Sequence, residues 1–437
     1  MRLLAISYAF PPLIAPRSIQ VARLLRHLDA ESALVCGSSE GERLDPTIEP
    51  DAASELATWV RPERNRTWLR RRADGLAYRL NVPLWNRHPD EYRHWMPAAL
   101  AGARSILQAG FAPDVIVSFG NPMTDHLIGR ELARETGLPW VAHFSDPWTR
   151  NPFQHRRPVD ELFNARLERS VLGSANLLLF PSAECAEHVL EGQPDAVRAR
   201  AQVLPHSYEP MSHADEGPVR ADGKLVIRHV GTLYAPRRIG PVVQALLGIA
   251  SELPTLLDRV RFEFVGARER DSLADPDLER LPAGVCTAHN GVPYAESLRL
   301  MRDADGLLLL DGKCTGKGIF FPSKLADYIG AGRPILGISA PGAAAGIISR
   351  LGGVVADVED QAAITAGMRR FLLMLAERSH TADAVWGHPA ERQRYAAPQV
   401  AALFREQLDR VACPQGQLRV PLARSGLASY LPTSPLT

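Results

Sequence analysis

The sequence predicts an α/β protein built from two doubly wound domains, and three observations carry that prediction. Short apolar runs alternate with longer stretches of helical period, the alternation stops over a polar segment near the middle, and it then restarts. An apolar run, an amphipathic helix and a second apolar run make the unit that lays parallel strands side by side with helices on both faces.

The first run, Leu3–Tyr8, reads as a buried strand. The loop FPPLIAPR follows, and then a helix from about Ser18, with Val21, Leu24, Leu25 and Leu28 on one face. Asp114–Phe119 and Trp140–Phe144 are predicted strands that bracket a helix around His126–Glu135, and Asn176–Phe180 is another strand. Pro205–Lys224 is rich in polar residues, Pro and Gly, and reads as the interdomain connection. The alternation resumes with Leu225–Val230, Arg261–Gly266, Gly306–Leu310, Pro334–Ser339 and Val354–Val358. Ala397–Val411 has the spacing of a final helix. The boundaries expected are an N-terminal domain over 1–207, a linker over 208–224 and a C-terminal domain over 225–385. A terminal helical segment over 386–412 crosses back to the first domain, and a loose tail covers 413–437. Two such domains are expected to face each other across a cleft, with ligands outside the carboxyl ends of the strands.

Composition narrows the class. A chain of 437 residues with 46% hydrophobic and 23% charged residues suits two ordinary cores. A net charge of +1 speaks against a protein built to coat nucleic acid, so any electrostatic attraction is local. Five scattered cysteines without a CxxC pair offer neither a disulfide framework nor a zinc site, which fits a reducing cytosol. The opening MRLLAISYAFPP is broken too early by proline for a secretory signal. The charge-free stretch Pro334–Ser349 falls short of the roughly 18 residues a membrane span needs.

The most informative stretch is Lys317–Leu336 (KGIFFPSKLADYIGAGRPIL), a loop that delivers the start of a short helix over about Ser323–Gly330, then a glycine turn and a strand. A helix start presents unpaired N–H groups and partial positive charge, which suits a diphosphate, and Lys317 and Lys324 add full charges. Asp327 lies within the helix, where a carboxylate accepts from neighbouring ribose hydroxyls. The bland alternative is a capped helix between two strands.

The segment Pro322–Leu336 resembles the donor-binding signature of retaining GT-B glycosyltransferases of family 4. That family usually reads P-(S/G)-K-L-x-E-Y-x-A-x-G-(K/R)-P-(I/V)-L there. Pro322, Ser323, Lys324, Leu325, Tyr328, Gly332, Arg333, Pro334 and Leu336 fit, and Asp327 stands where the family has the Glu that holds the ribose. A second family Glu, eight residues earlier, falls here on Ile319. The stretch His229–Leu246 resembles a loop that reads roughly G-R-L-x-x-x-K-G, whose two cations grip the diphosphate; Thr232 replaces the first, and Arg237 or the adjacent Arg238 matches the second. The same two arginines also read as a solvated loop pair. Around them the resemblance implies donor contacts from Gly318 and Phe320, and a seat for the base near Val292 and Pro293.

In the N-terminal domain, Tyr8–Leu25 corresponds to the family's first strand, loop and helix, with Ser18 expected as the N-cap and Arg17 beside it, aimed at the acceptor. His143–Phe153 resembles the family's D-F-R-D-P-W element, in which Asp146 and Trp148 match. The expected acceptor contacts are Arg17, Ser18, Asp146, Trp148 and His206, and the expected catalytic groups are Asp146, Arg237 and Lys324. Asp146 alternatively caps the next segment. Arg61–Trp95 holds nine arginines against four acids, interleaved with Trp68, Tyr78, Trp85, Tyr92 and Trp95. That mixture suits the anionic surface of a membrane; single-stranded nucleic acid and a plain solvated helical excursion are the other readings.

The resemblance implies a glycosyltransferase that retains anomeric configuration; the cysteines point to the cytoplasm, the lack of a metal-binding acid or histidine cluster to metal-independent chemistry, and the Arg61–Trp95 stretch to a peripheral place on the inner face of the plasma membrane. Such an enzyme needs no cofactor: a UDP- or GDP-linked sugar is its substrate, and a glycan or lipid-diphosphate-linked acceptor its partner. The rival readings are a non-catalytic scaffold of the same fold and a nucleotide-sugar epimerase.

Overall fold

The computed structural model describes residues 1–37, 45, 58–60, 69, 72–73, 76, 89–154, 156–210, 223–233, 237–266, 275–312, 316–377 and 385–412. The chain divides into two compact units, Met1–Pro205 together with the segment from Pro398, and His206–Ala397.

The first unit is built on the strands β1 (Arg2–Ser7), β2 (Glu31–Cys36), β3 (Thr58–Val60), β4 (Val115–Phe119), β5 (Trp140–His143), β6 (Leu177–Phe180) and β7 (Ala201–Val203). They form one sheet in the order β3-β2-β1-β4-β5-β6-β7, and every pairing is parallel. Both faces are covered, so the strands read as continuous apolar runs: all five residues of β4 are buried. The helix Pro16–Arg26 covers one face through Val21, Leu24 and Leu25. Val400, Phe404 and Leu408 of the last helix, Ala397–Ala412, pack into the same cluster. Phe404 has no exposed surface, which contributes about 1.5–3 kcal/mol of transfer free energy.

Ser18 is not the cap of the first helix. Pro16 occupies the first turn, Ala15 is the cap residue, and Ser18 is fully buried one residue inside Arg17. Proline at a helix start brings its φ preset and lacks only an N–H that would be unbonded there, so the helix begins earlier than a cap by Ser18 would set.

The second unit carries β8 (Leu225–Val230), β9 (Val260–Val265), β10 (Cys286–His289), β11 (Gly306–Leu310), β12 (Ile335–Ile338) and β13 (Val354–Ala356), in the order β10-β9-β8-β11-β12-β13 and again all parallel. Gly306 opens β11 because the helix Gln361–Glu377 packs against the strand there. A Cβ at Gly306 would stand 2.7 Å from the Phe371 ring.

Each sheet has one place where the strand order reverses, between β1 and β4 in the first unit and between β8 and β11 in the second. The chain leaves the carboxyl ends of those strands in loops that diverge to opposite faces, which is where open α/β sheets hold ligands. His206, expected in the N-terminal domain, belongs to the second unit.

Candidate functional site

At the reversal point of the second sheet, β8 ends at Val230 and passes into Gly231, while β11 ends at Leu310 and passes into Asp311. The helix Ser323–Ala331 starts beside both. Its position is set by Tyr328, whose buried hydroxyl accepts from the Val230 N–H at 2.8 Å and lies 3.3 Å from the carbonyls of Val230 and Leu308. One tyrosine thus ties the helix to both central strands. Pro322 precedes the helix and no side chain caps its start, which leaves the positive end of the helix dipole for a ligand.

Lys324, in the first turn, lies with its Nζ 3.3 Å from Nε2 of His229. Nδ1 of His229 donates to the Leu308 carbonyl at 3.0 Å, so the neutral ring offers Lys324 a lone pair. Burial first, then the Lys324 charge, holds His229 well below its ordinary value. Burial lowers Lys324 itself to about 7, with the Arg237 charge adding to the effect and Asp311 opposing it. Gly231 makes this approach feasible. Its φ is +135°, and a Cβ there would sit 2.7 Å from the Lys324 Nζ.

Arg237 lies in the same group. Its guanidinium is almost buried and pairs with Asp311 at 3.3 Å. Asp311 also accepts from the Gly312 N–H at 2.9 Å and from the Ser339 hydroxyl at 3.3 Å. The solvated-pair reading therefore divides: Arg238 and Thr232 are exposed, whereas Arg237 is held inside. The result is a small set of one fixed cation, one adjustable cation and one anchoring carboxylate. Such a set can receive a phosphate by giving Lys324 a full charge and Arg237 a further partner.

The loop before the helix contributes shape. Gly318 pairs by backbone with Pro341 and Ala343, and Gly342 lets the two segments meet, since a Cβ at Gly342 would lie 2.1 Å from the Gly318 carbonyl oxygen. Lys317 is exposed, Phe320, Pro322 and Ser323 are half-buried, and Ile319 is buried, so the position of the family's first Glu carries an apolar core side chain. Asp327 accepts from the Tyr294 hydroxyl at 3.0 Å. Val292 is exposed. His206 packs its ring 5.3 Å from Phe321.

The first unit places Arg17 and Asp146 together. Arg17 donates to the His143 carbonyl at 2.7 Å and lies with its guanidinium 5.4 Å from the Phe119 ring centre. Burial lowers it to about 9, opposed by the charges of Asp146 and Asp125. Asp146 is half-buried and accepts from Ser145 at 2.8 Å. Trp148 is a different matter. It has no exposed surface and its indole N–H donates to Asn164 at 2.7 Å, so it serves the core and not an acceptor surface.

Two buried polar residues here escaped sequence reading. Asp125 accepts the Tyr8 N–H at 2.8 Å, joining the β1 and β4 ends, and burial raises it well above its ordinary value. Nδ1 of His126 lies 2.9 Å from the Ser118 hydroxyl oxygen, which also accepts from the Trp140 indole N–H. Burial and the Arg17 charge lower His126 to about 3, which keeps the ring neutral. The only sequence signal was a polar pair at the start of an otherwise amphipathic helix.

Of the Arg61–Trp95 stretch, most lies outside the described residues; Tyr92 and Trp95, which are described, pack around Tyr8 at 4.3 and 5.2 Å between ring centres. No helix among the described residues is long and apolar enough to cross a membrane. No group of three or more His, Cys, Asp or Glu among them is arranged to hold a metal.

Residues 14–206 match the family model described as a glycosyl transferase 4-like domain. The apo form of the lipopolysaccharide outer core galactosyltransferase WaaB is similar in structure, with a TM-score of 0.56, 12% identity, and coverage of 94% of this chain and 99% of that one. A UDP-forming α,α-trehalose-phosphate synthase from Burkholderia xenovorans gives a TM-score of 0.63 at 15% identity, with coverage of 94% and 99%. The E. coli trehalose-6-phosphate structure bound with UDP-2-fluoro glucose gives 0.60 at 13% identity, with the same coverage. A search of curated protein sequences found no match. The chain therefore has the two-domain GT-B fold of these solved glycosyltransferases, and its residues 14–206 match the glycosyl transferase 4-like domain.

Proposed function

We propose that the chain moves a sugar, with retention of anomeric configuration, from a UDP- or GDP-linked donor to a glycan or lipid-diphosphate-linked acceptor. The observation that carries this reading is the convergence of Arg237, Lys324 and an uncapped helix start at the reversal point of the second sheet. The donor diphosphate would lie against those groups, and the departing nucleoside diphosphate would gain its stabilisation from their charge. Lys324 answers the developing charge by holding its proton more tightly. Asp327 would take the ribose. Asp146, beside Arg17 in the first unit, would orient an acceptor hydroxyl. A UDP-linked donor has support from the similar E. coli structure, which holds UDP-2-fluoro glucose.

The scaffold reading has one specific observation in its favour. Ile319 is buried where the family carries a Glu near the reacting sugar. Calorimetry with UDP and GDP, followed by mass-spectrometric screening of donor sugars against a lipid-diphosphate acceptor, separates the two. Nucleotide binding with product formation supports transfer. Binding without product across the donor panel favours the scaffold, and absence of binding removes the donor site altogether.

A further inference from the structure

The helix Pro158–Ser174 of the first unit is amphipathic the wrong way round at its start. Its buried residues are Asp160, Asn164, Glu168, Val171 and Leu172, so three polar side chains lead the inward face. Val159, Leu162 and Phe163 stand on the outward face at 37, 60 and 40% exposure. A surface helix ordinarily turns its apolar side chains inward and its polar ones outward. The first two turns here do the reverse.

The inward polar groups have a structural use. Asn164 accepts from the Trp148 indole N–H at 2.7 Å, and Glu168 accepts from the Thr149 N–H at 3.2 Å and from the Thr149 hydroxyl. Those bonds fasten the helix to the loop that carries Asp146. They account for the buried polar residues and not for the exposed apolar ones. A single exposed apolar residue is ordinary, but three within five residues on one helix face make a patch.

Charge says what the patch faces. The helix holds three acids: Asp160 and Glu168 are buried, while Glu161 accepts from the Arg150 N–H and lies 3.5 Å from Arg156. Arg166 and Arg169 follow Leu162 by about one and two turns on the same face, and both are exposed. The outward face thus offers apolar side chains and positive charge, with the acids of the helix turned away from it. Apolar groups that enter the acyl boundary, beside arginines that meet phosphates, match an anionic lipid surface.

We infer that this face of Pro158–Ser174 docks the first unit on an anionic lipid bilayer, with Val159, Leu162 and Phe163 at the acyl boundary and Arg166 and Arg169 against the lipid phosphates. The helix that touches lipid is then also the one that holds the Asp146 loop, which suits a lipid-linked acceptor. That last step rests on the acceptor reading above; the docking surface does not.

The test is co-sedimentation of the full chain with vesicles, one set of phosphatidylcholine alone and one of phosphatidylcholine and phosphatidylglycerol in equal parts. Wild-type protein should sediment with the anionic set and not with the neutral one, and added salt should weaken the contact. Arg166→Gln with Arg169→Gln should lower vesicle affinity by roughly fivefold per arginine, and Val159→Ser with Leu162→Ser by about tenfold. Both variants should unfold at the wild-type temperature, since the changed positions are exposed. Wild-type protein that stays in solution with anionic vesicles would overturn the inference, as would undiminished sedimentation of both variants. Loss of sedimentation only in Leu69→Ser with Leu76→Ser, two exposed positions of the Arg61–Trp95 stretch, would move the contact to that stretch and overturn it too. A wild-type dimer that Leu162→Ser converts to monomer, without vesicle binding, would give the face to a second copy. Protein that sediments as expected and binds neither UDP nor GDP would defeat the transfer reading and leave the docking surface standing.

Discussion

The Lys324 ammonium sits 3.3 Å from Nε2 of His229, a ring whose other nitrogen is committed to the Leu308 carbonyl. A lysine is thus parked on a neutral acceptor in a place where Arg237 also presses positive charge on it, with only Asp311 opposing. The arrangement suits a site that waits for an anion.

Affinity for a nucleoside diphosphate should depend on pH through Lys324. Burial lowers the group to about 7, and a bound diphosphate raises it, so binding takes up a proton at and above that pH. Affinity should fall as pH rises from about 7 to 9, by up to about tenfold per unit. Below about 6 it should fall again as the terminal phosphate protonates. Calorimetry in buffers of different ionisation enthalpy reads the proton directly. Lys324→Met should bind weakly and lose the alkaline limb; an unchanged slope in that variant would assign the titration elsewhere.

Arg237→Ala should weaken nucleoside diphosphate binding by about 1.5–3 kcal/mol, the range for a hydrogen bond to a charged group. Arg238→Ala, at the exposed neighbour, should change it little. Equal effects from the two would show that burial and the Asp311 contact do not select the working arginine.

Gly231→Ala should disturb both backbone and lysine. The φ of +135° is one that L side chains rarely adopt, and the new Cβ would displace the Lys324 Nζ from its place. A loss of about 1–3 kcal/mol of stability is expected, measured by urea unfolding, together with weaker UDP or GDP binding. A variant that folds and binds as the wild type would contradict the close approach.

Trp148→Ala should act on stability and not on acceptor choice. A fully buried indole bonded to Asn164 is worth about 3–5 kcal/mol when truncated. Thermal unfolding reads the loss. A stable variant with altered acceptor selectivity would return Trp148 to the acceptor surface.

The central strands and the helix Ser323–Ala331 were legible because their signals are local. Gly306–Leu310 and Leu225–Val230 are unbroken apolar runs and form strands over those same residues. β2, β7 and β10 escaped because Glu31 and Ser32, Gln202, and Thr287 and His289 dilute the apolar pattern, and β7 and β10 are edge strands with less to bury. Arg237 and Lys324 were visible as charges beside turn residues. Asp311 was not, since an Asp-Gly pair reads as a turn and its partners Arg237 and Ser339 lie 74 and 28 residues away. Only the strand order brings them together. Ser18 and Trp148 were misjudged for a related reason: sequence shows residue type and spacing, while burial is decided by what packs on top.

The central claim, that Arg237 and Lys324 hold a diphosphate at the start of Ser323–Ala331, is tested most directly by a crystal structure with UDP or GDP bound. The account predicts phosphate oxygens within about 3 Å of the Arg237 guanidinium and the Lys324 ammonium. The Lys324 Nζ should have moved from His229 toward the ligand. A nucleotide bound elsewhere in the chain, with Lys324 still on His229 and Arg237 still on Asp311, would contradict it.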